Sequence, residues 1–488
     1  MTAYKTVTAK PGRLLIGGEW TQARDSKTFD VINPATEKKI TTAAYGQAED
    51  VNAAVSAARQ AFEHGPWSRM APRERGQLMY RLADLIEKNK EELAILETMD
   101  NGKPISECLG FDLPQAVDTF RYYAGWADKI HGDINPVDHK YFSYTMREPV
   151  GVVGQIIPWN FPLLMAAWKL GPALACGCTS ILKPAEQTPL SALRLGELIM
   201  EAGFPAGVVN IITGDHVAGA ALASHKGVDK VAFTGSTEVG KKVMTSAAQN
   251  LKRVSMELGG KAPNIIFADA DIDKAVQGAV TAIFFNQGEV CCAGSRLFLD
   301  ERVHDEFIEK FSKVAKSMRV GDPLDSATQM GAQVSLEQHE KVLGFIQSGV
   351  KSGAKIAAGG NSLRGKLGGY FMEPTIFTDT ENHMEIVREE IFGPVVAAKK
   401  FSKVEDLIKM AQETNYGLSA GIWTKNISLA HDTARRLRAG TIWINCYNTF
   451  DVAVPFGGYK ESGFGRELGK AALDLYTEQK AVWIGVNT

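Results

Sequence analysis

The chain has 488 residues, 45% hydrophobic and 23% charged, enough to bury large cores and to divide into about three domains. Its 54 basic residues are matched by 56 acidic ones, which excludes the charge footprint of a nucleic-acid or anionic-membrane binder. Six cysteines (Cys108, Cys176, Cys178, Cys291, Cys292, Cys446) lack zinc-site spacing and the nine histidines show no H-E-x-x-H, so no metal is expected and the thiols read as reduced, in a cytoplasmic setting.

The start, Met1 to Arg13, is polar without an apolar signal segment, and no run reaches the ~18–20 apolar residues of a membrane span. Leu14 to Trp20 reads as a strand with a glycine turn and Phe29 to Pro34 as a second extended piece, both edge decorations. Ala48 to Phe62 places Val51, Ala54, Val55, Ala58 and Phe62 at helical spacing. Pro72 to Met99 continues the pattern as one helix through Leu78, Leu82, Leu85, Ile86, Leu93 and Leu96, with Asn101-Gly102-Lys103-Pro104 as its stop. A third helix covers Ala116 to Ala127. Tyr141 to Arg147 then alternates aromatic and polar residues like an exposed strand in want of a partner, and Ala481 to Val486 is a second lone strand.

From Val150 onward, apolar strands at Val152–Ile157, Thr179–Leu182, Val208–Ile212 and Lys230–Phe233 alternate with helices at Pro189–Ala202 and Glu238–Ala247. That alternation predicts a parallel, doubly wound sheet, whose ligands bind beyond the carboxyl ends of its strands. Asn160, Lys183, Gly235 and Ser236 all fall there. A second α/β unit runs from Lys261 to Lys460, with strands at Asn264–Phe267, Ala420–Trp423 and Thr441–Asn445 and helices at Asp273–Phe285, Glu301–Met318 and Gln338–Ser352. The fold class is therefore α/β, and chemistry is expected in the crevice between the two units.

Three stretches carry that chemistry. A glycine-bracketed turn, Asn286 to Arg296, presents Cys291, and a thiolate attacks a carbonyl carbon well. Pro158-Trp159-Asn160-Phe161-Pro162 offers an amide donor, and Met256-Glu257-Leu258-Gly259-Gly260-Lys261 a carboxylate. Together they resemble the aldehyde dehydrogenase superfamily, in which a glutamate in E-L-G-G-K precedes the nucleophile of G-[QE]-x-C, as Glu257 precedes Cys291. The resemblance runs from Asn33-Pro34-Ala35-Thr36 to Gly465-Arg466-Glu467-Leu468-Gly469, and the NAD-dependent class of broad specificity is nearest.

That resemblance implies two doubly wound α/β domains, a Rossmann-like cofactor domain and a catalytic domain, plus a small β arm for oligomerisation. Residues 1–129 and 150–258 then form the NAD-binding domain and 259–460 the catalytic domain. Residues 130–149 and 461–488 form the arm and C-terminal tail, with a homotetramer favoured over a dimer. It assigns Cys291 as nucleophile, Glu257 as the base that activates water, and the Asn160 amide with the Cys291 N–H as oxyanion donors.

The same resemblance sets Gly235 and Ser236 under the pyrophosphate, Lys183 and Glu186 on the adenosine ribose, and Trp159 near the adenosine. Glu390 and Phe392 then lie on the nicotinamide side. A carboxylate at Glu186 accepts from a 2′-hydroxyl and repels a 2′-phosphate, which predicts NAD over NADP. Glu467 matches an acid assigned to proton relay, the alternative being a charge at a helix N-terminus. Glu289 replaces the common glutamine two residues before the nucleophile. Facing inward it raises the thiol pKa, so it is expected to face away.

Phe161, Leu164, Trp168, Phe285, Val290, Cys292 and Phe450 match the substrate tunnel, and their apolar character favours hydrophobic aliphatic or arylacetaldehyde-type substrates. Small polar aldehydes such as betaine aldehyde or a semialdehyde are the alternative. A CoA-acylating enzyme is disfavoured by Glu257, and a non-catalytic relative by the presence of Asn160, Glu257 and Cys291 together.

Overall fold

A computed structural model describes residues 7–486. The first six residues of the polar start and the last two of the tail lie outside them. Two parallel sheets dominate. The first contains the strands β1 (Val152–Ile156), β2 (Thr179–Lys183), β3 (Val209–Ile211), β4 (Lys230–Thr234) and β5 (Arg253–Glu257), in spatial order β5-β4-β1-β2-β3. Every residue of β1, β2 and β3 is buried, as expected of strands covered on both faces.

The chain winds from β1 through β2 to β3 on one side and then crosses to β4 and β5 on the other. The order therefore reverses between β1 and β4, where a crevice opens at the carboxyl ends of the strands. Register sets the edge of that crevice: Thr234 lies opposite Glu257, and Ile156 opposite both Phe233 and Lys183.

Leu14–Ile16 and Glu19–Thr21 form a hairpin that extends this sheet beyond β3, and Gly463–Phe464 caps it beyond β5. Phe29–Pro34, read as an extended edge decoration, is the strand Thr28–Asn33 paired with Lys38–Ala44. Its partner is rich in Lys and Thr and carries no apolar run.

The second sheet has β6 (Pro263–Ile266), β7 (Arg296–Asp300), β8 (Thr375–Thr378), β9 (Val395–Phe401), β10 (Ser419–Trp423) and β11 (Thr441–Ile444), in order β8-β9-β7-β6-β10-β11. These strands are parallel, and Lys355–Ala358 adds an antiparallel edge. The fold is thus α/β with two such units, as expected. The two lone strands pair with each other: Tyr141–Pro149 runs antiparallel to Thr477–Gly485, and Ile134–Asn135 joins them in a three-stranded sheet.

One helix expectation is corrected. The segment expected to form a single helix over Pro72 to Met99 is two, Pro72–Lys88 and α1 (Lys90–Asn101), separated at Asn89. Asn89 leaves helical geometry at φ −103° and ψ 17°, and its side chain donates to Leu85 O at 2.7 Å, competing with the backbone ladder. The helix α2 (Pro162–Cys176) follows the Trp159–Phe161 turn and is buried along its whole length. Among the described residues, no helix is long and apolar enough to cross a membrane.

Candidate active site

The carboxyl edge of the first sheet delivers most of the candidates. Trp159 and Asn160 follow β1, Lys183 ends β2, Gly235 and Ser236 follow β4, and Glu257 ends β5. Ser236 caps the helix α3 (Thr237–Ala247), its Oγ accepting from Val239 N at 3.3 Å. Gly235 and Ser236 line the crevice at the N-terminus of this helix, the end whose dipole suits an anion. Trp159 meets Phe392 edge to face, with ring centroids 5.1 Å apart.

The nucleophile loop comes from the second unit, just before β7. Asn286 (φ 47°), Gln287 (φ 43°) and Gly288 (φ 78°) form a left-handed run, which costs about 1 kcal/mol or more at each non-glycine position. The loop is held by tethers from distant parts of the chain. Glu107 accepts from Asn286 N at 2.9 Å, Gln333 donates to Gln287 O at 3.1 Å, and Asn286 donates to Asn160 O at 2.8 Å. Asn160 in turn donates one amide hydrogen to Glu289 O at 2.9 Å, which leaves its second hydrogen for another acceptor.

The Glu289 carboxyl is buried. It accepts from Val334 N at 3.0 Å and from Gln287 Nε2 at 3.2 Å, so it is spent on loop contacts. Burial holds its pKa well above the usual carboxylate range.

Cys291, Glu257 and Asn160 line one cavity of about 430 Å³. One end carries Trp159, Gly235, Ser236, Glu390 and Phe392. The other is aromatic, with Phe161, Leu164, Trp168, Phe285, Val290, Cys292 and Phe450 joined by residues that sequence reasoning missed: Phe111, Met165, Asn448 and Phe456. Phe456 was within reach, since Pro455-Phe456-Gly457-Gly458 lies inside the stretch that carries the family resemblance. Phe111 was not, because it stands in a π-helical turn, Cys108–Asp112, that apolar periodicity does not reveal.

Cys291, Glu257 and Glu390 all bind their protons more tightly than such groups ordinarily do. The Cys291 thiol is pushed well above its ordinary value by the Cys292 side chain and by burial, with Glu390 adding to both. Burial raises Glu257 as well, and the charge of Glu467 raises it further. Burial lifts Glu390 to about 7 against the pull of the Gly260 N–H, whose hydrogen bond to Oε1 is 3.0 Å.

Lys183, Glu186 and Glu467 do not line this cavity. Lys183 is buried with Glu186 at 3.3 Å, and the glutamate side chain is 42% exposed. Glu467 accepts from Lys169 Nζ of α2 at 2.7 Å. The short 3₁₀ helix Lys470–Leu475 begins three residues after Glu467, whose backbone pairs antiparallel with Phe456 and whose carboxyl is engaged by Lys169. Glu97, Cys108 and Asp112 converge closely enough for a cation, but the Lys103 ammonium already fills that place, 2.6 Å from Asp112.

The polar end fits a dinucleotide. Thr234 Oγ1, in the wall beside Gly235, is buried without a partner, and the crevice lies at the strand-order reversal that such ligands occupy. Lys183 and Glu186 stand at the neighbouring strand end, within the same edge.

A crevice that fits a dinucleotide and also gathers a thiol, an amide donor and a carboxyl marks the class as an oxidoreductase. The chain matches the aldehyde dehydrogenase family over residues 20–482 and belongs to that family. It is 54% identical to a mitochondrial aldehyde dehydrogenase of Rattus norvegicus over 477 residues, 97% of this chain and 92% of the other. An NAD+ complex of a Bacillus cereus aldehyde dehydrogenase superposes with a TM-score of 0.96 at 51% identity, covering 98% of this chain and 97% of the other. An indole-3-acetaldehyde dehydrogenase in complex with NAD+ gives 0.97 at 47% identity, covering 99% and 98%.

Proposed function

We propose that this enzyme oxidises hydrophobic aldehydes, aliphatic or arylacetaldehyde-type, to carboxylic acids with NAD. The observation that carries this reading is that Cys291, Asn160 and Glu257 share a single cavity, polar at one end and aromatic at the other. Bound NAD supplies a hydride acceptor and a positive ring charge.

The chain's residues do the rest. The Cys291 thiol gives its proton to solvent water, and the thiolate sulfur bonds to the aldehyde carbon as the carbonyl π pair moves onto oxygen, giving a tetrahedral alkoxide. The spare Asn160 amide hydrogen meets that charge together with the Cys291 N–H, which has no hydrogen-bond partner among the described residues. After hydride departure the acyl group rests on Cys291 as a thioester. Glu257 takes a proton from the attacking water and the acid leaves. Glu467, paired with Lys169 and felt electrostatically by Glu257, relays that proton away.

The substrate class follows from the rings. Phe111, Phe161, Phe285, Phe450, Phe456 and Trp168 stand with neighbouring centroids 5.4–6.4 Å apart. The cation of the cavity wall, Lys341, lies close enough to Glu390 to pull its pKa down, so it sits with the polar residues and leaves no clamp for a second carboxylate among the rings. Glu186 favours NAD over NADP by repelling a 2′-phosphate. The exposed Trp483, Ile134 and Phe142 of the three-stranded sheet support a homo-oligomer built through that arm, a tetramer in this reading.

The test is NADH formation without CoA, using octanal, phenylacetaldehyde, betaine aldehyde and succinic semialdehyde, with NAD and with NADP. Apolar aldehydes should lead in kcat/KM with NAD, and Cys291→Ala should abolish turnover. A lead for succinic semialdehyde overturns the substrate assignment, and equal rates with NADP overturn the reading of Glu186.

A further inference from the structure

A buried polar cluster packs against the segment that carries Asn160. Helix α1 ends at Gly102, whose φ of +93° turns the chain into Lys103 and Pro104. From this turn three contacts reach the Trp159–Leu163 segment. Asn101 Nδ2 donates to Trp159 O at 2.8 Å. Lys103 Nζ lies 4.2 Å from the centre of the Phe161 ring. Glu97 Oε2 accepts from Leu163 N at 3.0 Å, in the first turn of α2. Asn160 sits between the gripped residues, and its own carbonyl is held from the opposite side by Asn286.

Glu97, Asn101, Lys103 and Asp112 are fully buried. Lys103 bonds Asp112 at 2.6 Å and stands 3.6 Å from Glu97. Stability alone does not account for such a cluster, since well-packed apolar residues usually hold a fold as well as a buried ionic group does. What the cluster adds is direction: a hydrogen bond, a cation over a ring face and a second hydrogen bond, placed on residues 159, 161 and 163 in turn.

We propose that Asn101 and Lys103 are positioning residues for the Asn160 amide, fixing the backbone and the ring on either side of it so that the donor meets the oxyanion without rearrangement. This rests on the role given to Asn160 above. Oxyanion donors stabilise a transition state only when they are held in place beforehand, and a misplacement of about 1 Å can cost ~10²-fold in rate.

Lys103→Met strands the Glu97 and Asp112 carboxylates and endangers the fold. Asn101→Ala keeps all three charges of that cluster, releasing only the Lys103 N–H that Asn101 Oδ1 accepts at 3.0 Å, and is the decisive variant. The experiment is a double-mutant cycle of Asn101→Ala and Asn160→Ala in the full-length enzyme. It reads kcat, KM for octanal, NAD affinity by tryptophan fluorescence and the thermal midpoint. Asn160→Ala alone should lower kcat about 10²–10³-fold. Asn101→Ala alone should lower kcat about tenfold with KM for octanal changed less than about twofold. Added to Asn160→Ala, it should cost less than about twofold more, because the group it positions is already gone. Equal losses in both backgrounds, or no loss from Asn101→Ala, overturn the positioning role while leaving that of Asn160 intact. An unchanged kcat in Asn160→Ala overturns both.

Discussion

The two glycines after Glu257 meet different obstacles, and substituting them separates cofactor contacts from nucleophile geometry. A Cβ on Gly259 would stand 2.1 Å from Glu390 Oε2, whereas one on Gly260 would stand 2.4 Å from the Cys291 carbonyl oxygen. A carbon needs about 3.5 Å, so in Gly259→Ala the Glu390 carboxyl must withdraw by about 1.4 Å, which the end of a flexible side chain can do. The move breaks the hydrogen bond from Gly260 N to Glu390, a loss of about 1.5 kcal/mol or roughly tenfold. It also removes the contact that pulls the Glu390 pKa down, so more of the carboxyl is protonated at neutral pH.

Gly259→Ala should therefore fold normally, with kcat/KM for NAD reduced about tenfold. Gly260→Ala has no such escape, because its obstacle is backbone. It should lose nearly all turnover and show a lowered thermal midpoint. The measurements are steady-state kinetics against NAD and a thermal melt of each variant. Wild-type kinetics in Gly259→Ala, or higher activity in Gly260→Ala than in Gly259→Ala, would refute the packing argument.

Glu257→Gln should lower kcat about 10²–10⁴-fold while keeping a stoichiometric burst of NADH, since the carboxyl acts after hydride transfer; a missing burst places its role earlier. In the enzyme without cofactor, the reactive form of Cys291 is the thiolate and its pKa is raised, so alkylation by iodoacetamide should be slow at neutral pH and climb through the alkaline range. A rate that levels off below about pH 8 contradicts that direction. Glu289→Gln should leave this alkylation profile nearly unmoved, because the carboxyl is turned onto Val334 and Gln287; a large downward shift of the thiol pKa shows that its charge reaches the sulfur.

Much of the fold was legible because short apolar runs such as Val152–Ile156 need two covered faces, and the alternating helices supply them. The break at Asn89 was not, since neither Pro nor Gly marks it and Leu85, Ile86 and Leu93 sustain the helical period across it. Lys38–Ala44 was missed because its polar residues find their place through a partner strand and not through local pattern. At the candidate site, the motif residues converge on the cavity, while Lys183, Glu186 and Glu467 stand outside its wall. Neighbouring turns adjacent in sequence were readable. Residues delivered by irregular backbone, as Phe111 is by its π-helical turn and Asn448 by a φ of 53°, were not, because composition carries no record of a local change in winding.

The tethers of the left-handed nucleophile loop bear on how the chain must be made. Glu107 lies 179 residues before the amide it accepts from, and Gln333 lies 46 residues after the carbonyl it donates to. A growing or truncated chain that stops short of residue 333 lacks one of these contacts, and residues 286 and 287 then have less to hold them against their natural backbone preference. Contacts of such long sequence separation form late in folding. The loop around Cys291 therefore takes its shape only once segments from residue 107 to residue 333 are in place, so proteolytic or engineered halves of this chain will carry the cysteine without its geometry.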